Sequence, residues 1–202
     1  MASTRLETAI ALCPVCHDTT APHTHLCHNC LTHTKQLRRP PTPVTAITIF
    51  DRSHPLRDTL HHYKDPTAAD HHQARQTIIN LLANTVPALL PTGHTLTTVP
   101  STHRQSHLHT IANQASLNPQ HTLTANQQSD RVANPNLFTI QNPIPTNPVV
   151  ILEDTYVTGA TAQSAAHTLQ QHGTEVTGII AIGRRLNPQH VPNHPAFQHQ
   201  AQ

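Results

Sequence analysis

The residues best equipped for chemistry run from Pro148 to Thr161, P-V-V-I-L-E-D-T-Y-V-T-G-A-T. An apolar stretch ends in two adjacent carboxylates, Glu153 and Asp154. A Thr158-Gly159-Ala160-Thr161 turn follows, and then a stretch with helical spacing. Each part has a physical use. A glycine has no Cβ, so Gly159 lets backbone amides approach a ligand closely. The free N–H groups of a helix start and its positive dipole end hold a phosphate. Thr158 and Thr161 offer hydroxyls to the same phosphate, and the carboxylates can accept hydrogen bonds from the vicinal hydroxyls of a sugar. A sugar phosphate suits this layout. The competing reading is a solvated strand end with Thr158 as a helix cap; the strand before and the helix after favour the site.

A second group lies near the N-terminus. Cys13, Cys16, Cys27 and Cys30 read C-P-V-C, ten residues, then C-H-N-C. Each CxxC makes a tight knuckle that turns two thiols toward one point, and two knuckles close a tetrahedron around Zn²⁺. A redox dithiol or a pair of disulfides are the other uses of such cysteines; a redox pair does not need the second CxxC. His17, His23, His25 and His28 lie close by and read as bystanders, since four Cys already complete a closed structural site. A segment of about 30 residues buries too little to fold alone, so the metal supplies its folding energy.

Elements must position these groups. Val44–Phe50 reads as a strand, Asp51–Pro66 as irregular, and Ala68–Leu90 as a helix with Ala74, Ile78, Leu81 and Leu82 in register. Thr95–Val99 reads as a short strand and His107–Ser116 as a helix. Residues 117–147 are rich in Asn, Pro and Gln and read as a long loop or weak strands, with one apolar piece at Leu137–Ile140. Val149–Leu152 is an apolar strand, Ala160–His172 a helix stopped by Gly173, and Val176–Ile182 a further strand. Strands alternating with helices predict an α/β fold with a parallel sheet, with ligands beyond the carboxyl ends of the strands. Pro40, Pro41 and Pro43 mark a border at about residue 40, behind the small basic patch Arg38-Arg39. The expected organisation is a zinc-ribbon module over 1–40, an α/β domain over 44–187 and a disordered tail over 188–202.

Composition narrows the class of function. Aromatics are 2% of the chain, so the core must be built from Leu, Ile, Val and Ala. The formal charge is +2, from 12 basic and 10 acidic residues, which excludes a strongly basic nucleic-acid binder by bulk charge and an acidic solvating tail. The 20 His are scattered and form no tract, which argues against metal storage. No apolar stretch approaches the roughly 18–20 residues of a membrane helix. The apolar run at Ala9–Cys13, with Glu7 beside it, is too short for a signal peptide. The expected location is the cytoplasm, with no membrane partner.

Val149–Thr161 resembles the phosphoribosyl pyrophosphate (PRPP) signature of type I phosphoribosyltransferases: an apolar strand, two acids, then T-G-x-T. With two CxxC pairs ahead of it, the chain looks like the ComF-like phosphoribosyltransferases associated with competence proteins. Leu96–Arg104 is similar to that group's V-P-x-x-x-x-R segment, and Tyr63-Lys64-Asp65 falls where the group has a Y-K segment. There are departures. Gln105-Ser106-His107-Leu108 replaces an R-G-x-N-x segment, Val157 stands where a Thr is common, and Arg131 and Phe138 are remnants of an R-x-x-N-v-x-x-x-F region.

The resemblance implies a type I phosphoribosyltransferase fold and a glycosyltransferase of nucleotide metabolism or competence. Such an enzyme displaces pyrophosphate from PRPP with Mg²⁺ toward an unnamed acceptor. It places Glu153 and Asp154 on the ribose hydroxyls, and Thr155, Thr158, Gly159, Ala160 and Thr161 on the 5′-phosphate. Ser101, Thr102, Arg104 and Lys64 fall on the pyrophosphate, and Cys13, Cys16, Cys27 and Cys30 on structural Zn²⁺. It leaves room for a non-catalytic binder of PRPP or a nucleotide, for a protein partner of the zinc module with nucleic acid touched only indirectly, and for a homodimer.

Overall fold

The computed structural model describes residues 11–21, 23–101, 107–126, 131–141, 143–187, 189 and 194–198. The elements run α1 (His28–Leu37), β1 (Val44–Phe50), α2 (Leu56–His62), α3 (His71–Leu89), β2 (Thr95–Thr98), α4 (His107–Gln114), β3 (Leu123–Ala125), β4 (Phe138–Ile140), β5 (Val149–Tyr156), α5 (Ala160–Gln171), β6 (Val176–Arg185) and α6 (Pro195–Gln198). Four strands form one sheet in the order β1-β6-β5-β2, all parallel. Parallel strands are covered on both faces, so their interiors read as unbroken Val, Ile and Leu. Side chains alternate across the sheet. Val149, Ile151, Ile179 and Ala181 pack with Ala165, Ala166 and Leu169 of α5 on one side. Val150, Leu152, Ile180 and Ile182 pack with Ile78 and Leu82 of α3 and Ile111 of α4 on the other.

The helices follow from spacing. Ala74, Ile78, Leu82 and Val86 recur every four residues and form the buried stripe of α3. In α5 all residues from Ala162 to Leu169 are buried, and its many alanines let it fit closely between sheet and neighbours. Gln163 clamps the proline-rich segment before β1: its amide donates to Thr42 O and accepts from Thr42 N, each at 2.8 Å.

The structure departs from the expected elements in several places. Asp51–Pro66, expected to be irregular, contains α2, because Leu56, Leu60 and Tyr63 share a face and the last two are buried. The histidines around them hid that stripe. Strand β5 runs beyond Leu152 through both carboxylates to Tyr156, since pairing continues at Glu153↔Ala181, Thr155↔Gly183 and Tyr156↔Arg184. Within 117–147, β3 and β4 form an antiparallel pair, with Ala125 opposite Phe138. The four-cysteine segment continues into α1, whose C-cap Arg38 adopts the left-handed region. Within the segment from 188 onward, residues 195–198 form α6, and the buried His194 bonds to His17 O through Nε2 at 2.8 Å.

Strand β6 approaches β1 closely at Gly183. A Cβ there would lie 2.4 Å from Phe50 Cε1, and Phe50 is itself buried. Gly183→Ala is expected to destabilise the fold by about 1–3 kcal/mol through overpacking, read as a lower denaturant midpoint with an unchanged slope. An unshifted midpoint would show that the Phe50 ring yields freely.

Candidate functional site

Two CxxC knuckles bring the cysteine sulfurs within 4.8 Å of one another, and all four residues are buried. The Cys16 and Cys27 sulfurs are 3.4 Å apart and no disulfide links any of them. A tetrahedral Zn–S site with bonds of about 2.3 Å has sulfur-to-sulfur edges of about 3.8 Å, so the spacing and the all-sulfur donor set fit a metal such as zinc. Four thiols this close cannot ionise independently. Contact with Cys16 drives Cys13 far below the ordinary thiol value, and contact with Cys13 drives Cys30 far above it. A bound dication lets all four serve as thiolates. Among the described residues this is the one group of three or more side chains that could hold a metal. His17 is turned away to Val44 O at 2.9 Å, and His23, His25 and His28 are exposed.

The cluster is joined to the sheet by Arg184, a residue the sequence analysis passed over. Its guanidinium is 1% exposed and donates to Asp18 Oδ2 at 2.7 Å. It also donates to the carbonyls of Cys16 (2.9 Å), Tyr156 (3.2 Å), Val157 (2.7 Å) and Arg185 (2.6 Å). His33 of α1 adds a second link, through Nε2 to Thr158 O at 2.8 Å. The cysteine module therefore packs directly on the turn after β5.

That turn has the form expected of an anion cradle. Gly159 is left-handed (φ 84°) and caps α5; a Cβ there would lie 2.0 Å from the Tyr156 hydroxyl oxygen. Both conformation and space demand glycine. The Thr158 hydroxyl accepts from Ala160 N at 3.3 Å. A pocket of about 260 Å³ lies over the turn, lined by Glu153, Thr155, Thr158, Gly159, Ala160 and Thr161, with Arg131 and Arg185 at its side.

The two carboxylates part company, because neighbours on a strand face opposite sides. Glu153 lines the turn pocket, half-buried. Burial first, then the charge of Asp154, pushes its carboxyl well above the ordinary range. Asp154 faces the other way, where it accepts from the Tyr63 hydroxyl at 2.6 Å and pairs with Lys64. Burial works against its ionisation, but the Lys64 charge and hydrogen bond, with Tyr63, hold it below the ordinary carboxylate value. Ser101 lies just beyond β2, which pairs with β5 as far as Leu152, and Val99 N donates to Leu152 O at 3.0 Å. Thr102 and Arg104 lie outside the described residues.

Sequence reasoning missed Arg184, Arg185, His33 and the covering role of Tyr63. The Arg184-Arg185 pair at the end of an apolar strand was the available signal. No protein-family model matches this chain, and none of the curated proteins matches it. The residues and geometry define an α/β protein with a four-stranded parallel sheet, flanking helices and an N-terminal four-cysteine centre. Among the described residues no helix is long and apolar enough to cross a membrane.

The cysteine centre is expected to hold one equivalent of zinc per chain after dialysis, read by metal analysis, and Cys27→Ser to release it. A well-folded wild-type chain that carries no metal and takes up none would sink this assignment. Burial, opposed by the bond to Thr158 O, lowers the His33 pKa below 6.5. A depressed histidine adds stability above its unfolded value that is lost as pH falls through the folded one. His33→Gln is therefore expected to lose less stability than wild type between pH 7 and 5; equal losses in parallel denaturant titrations would show that His33 does not contribute.

Proposed function

We propose that the chain binds a ribose phosphate in the turn after β5 and displaces pyrophosphate from PRPP, as a ComF-like type I phosphoribosyltransferase. The observation that carries this reading is the strand–turn–helix unit Val149–Gln171, with left-handed Gly159 and two threonines around a pocket that two arginines border. The 5′-phosphate binds against the turn and the start of α5, helped by Thr155, Thr158 and Thr161. Glu153 holds one ribose hydroxyl from inside the pocket. Asp154, on the opposite face of β5 and held by Tyr63 and Lys64, would reach the other only by turning at the strand end once Lys64 leaves it for the diphosphate, one anion replacing another. Ser101, Thr102 and Arg104 complete the diphosphate side. Mg²⁺ brought in with PRPP would neutralise the charge that develops on the departing diphosphate. In the reaction the C1–O bond breaks with its electron pair leaving on pyrophosphate, the acceptor's lone pair forms the new bond to C1, and the acceptor's proton passes to solvent. Zinc stays structural and takes no step.

A second reading, a non-catalytic binder of PRPP or a nucleotide, is favoured by one fact: Asp154 already has both Tyr63 and Lys64 as partners. Calorimetry with PRPP and Mg²⁺ on the parent and on Asp154→Asn tests the site. The expected result is binding that the substitution weakens tenfold or more, about 1.4 kcal/mol. A folded, zinc-loaded parent that does not bind PRPP would defeat the enzyme reading and the PRPP-binding form of the second reading. Pyrophosphate release over a panel of bases and amines then separates enzyme from binder.

A further inference from the structure

Beside the turn pocket lies a larger cleft of about 460 Å³, to which nothing above gives a ligand. It opens at the carboxyl ends of β1, β5 and β6, at Phe50, Thr155 and Arg185. We infer that this cleft is the acceptor side of the site, and that the acceptor is a small molecule bearing an anionic group, a carboxylate or a phosphate. The inference rests on the reading that the turn holds the ribose phosphate.

Three observations support it. The first is contiguity: Thr155 and Arg185 line both the turn pocket and the cleft, so one ligand in each would touch. The second is topology. In the order β1-β6-β5-β2, Ser101 leaves β2 on one flank of β5, while the cleft lies on the other, over β6 and β1. Displacement at a sugar carbon brings the acceptor in opposite the departing group; the part of the cleft at Phe50, Arg57 and Arg185 lies across β5 from Ser101, and Lys64, paired with Asp154 of β5, stands at the border between the two sides. The third is charge. Arg57, Lys64 and Arg185 line the cleft against one carboxylate, Asp58. Lys64 is paired with Asp154 and, in the proposed reaction, goes to the diphosphate, so it does not serve the acceptor. The Arg57–Asp58 pair is 3.7 Å long with both side chains more than half exposed, which makes it weak. Arg185 is half-buried and, among the described residues, has no carboxylate partner. Burial, then Arg52, Arg131 and Arg57, lowers its pKa, as expected where cations gather without an anion. This gathering occurs in a chain with only 12 basic residues in 202. The apolar wall at Phe50 and Leu60 suits a small flat ring.

The test uses the full chain, zinc-loaded and saturated with ribose 5-phosphate, titrated by calorimetry with benzoate, phenyl phosphate and neutral benzamide. At least one anion is expected to bind roughly tenfold or more tighter than benzamide, and the better of the two names the acceptor's group. Arg57→Glu, at an exposed position outside the turn pocket, is expected to weaken that anion about tenfold and leave ribose 5-phosphate affinity within about twofold. Ribose 5-phosphate binding without any preference for the anions, or a preference untouched by Arg57→Glu, overturns the cleft inference alone. An Arg57-dependent anion preference in a chain that does not bind ribose 5-phosphate overturns the reading of the turn, and with it the acceptor role.

Discussion

A single buried guanidinium holds the molecule's working parts in register. Removing an arginine's charge from water costs several kcal/mol unless an opposite charge and full hydrogen bonding offset it. Arg184 has both, with Asp18 as counter-ion and four backbone carbonyls as acceptors. A lysine could not replace it, since only the planar fork serves acceptors in several directions from one position. Those acceptors belong to the first cysteine knuckle, to the end of β5 with its turn, and to the end of β6. The cysteine module is therefore not a bead on a proline linker. Backbone bonds between Val44 N and Val15 O, and the His17 bond to Val44 O, join it to β1 as well.

The same economy governs the polar core under the site. The chain has 2 Tyr, and both are buried there with their hydroxyls bonded. Tyr63 donates to Asp154, and Tyr156 accepts from Gln163 Nε2 at 3.2 Å. Gln163 in turn grips Thr42. A buried polar network is tolerable only when its members find partners, and here each link also positions an element: α2 against β5, and the segment before β1 against α5.

Much of this was legible in the sequence. The strands and the major helices announce themselves through apolar runs and four-residue spacing, and CxxC knuckles converge wherever they occur in pairs. Gly159 was legible as a residue without a Cβ at a tight turn before a helix; its left-handed conformation and close contact with the Tyr156 hydroxyl came only from the structure. Other features were not. Helix α2 was hidden because Leu56 and Leu60, with Tyr63 at its C-cap, are the only apolar residues among polar neighbours. The separation of Glu153 from Asp154 required knowing that β5 continues through them, which depends on partners in β6 that are distant in sequence. Arg184 and Arg185 look alike as a dipeptide; strand alternation buries one against the cysteine module and leaves the other beside two pockets.

The solvent side of the turn is shaped by what grips its far side. A trans peptide is planar, with its carbonyl and the next residue's N–H pointing in opposite directions. Arg184 takes the carbonyls of Tyr156 and Val157, and His33 takes that of Thr158. The N–H groups of Val157, Thr158 and Gly159 must then point away from the cysteine module. Successive amides turned to one side ahead of a helix start are the kind of donor row that suits a phosphate, which is the arrangement the proposed site calls for. A cation and a histidine on the protein side thus set which way the turn's donors face, as the proposed phosphate site requires. This explains why the cysteine module packs against the turn: the order of the cradle is inherited from the order of the knuckle behind it.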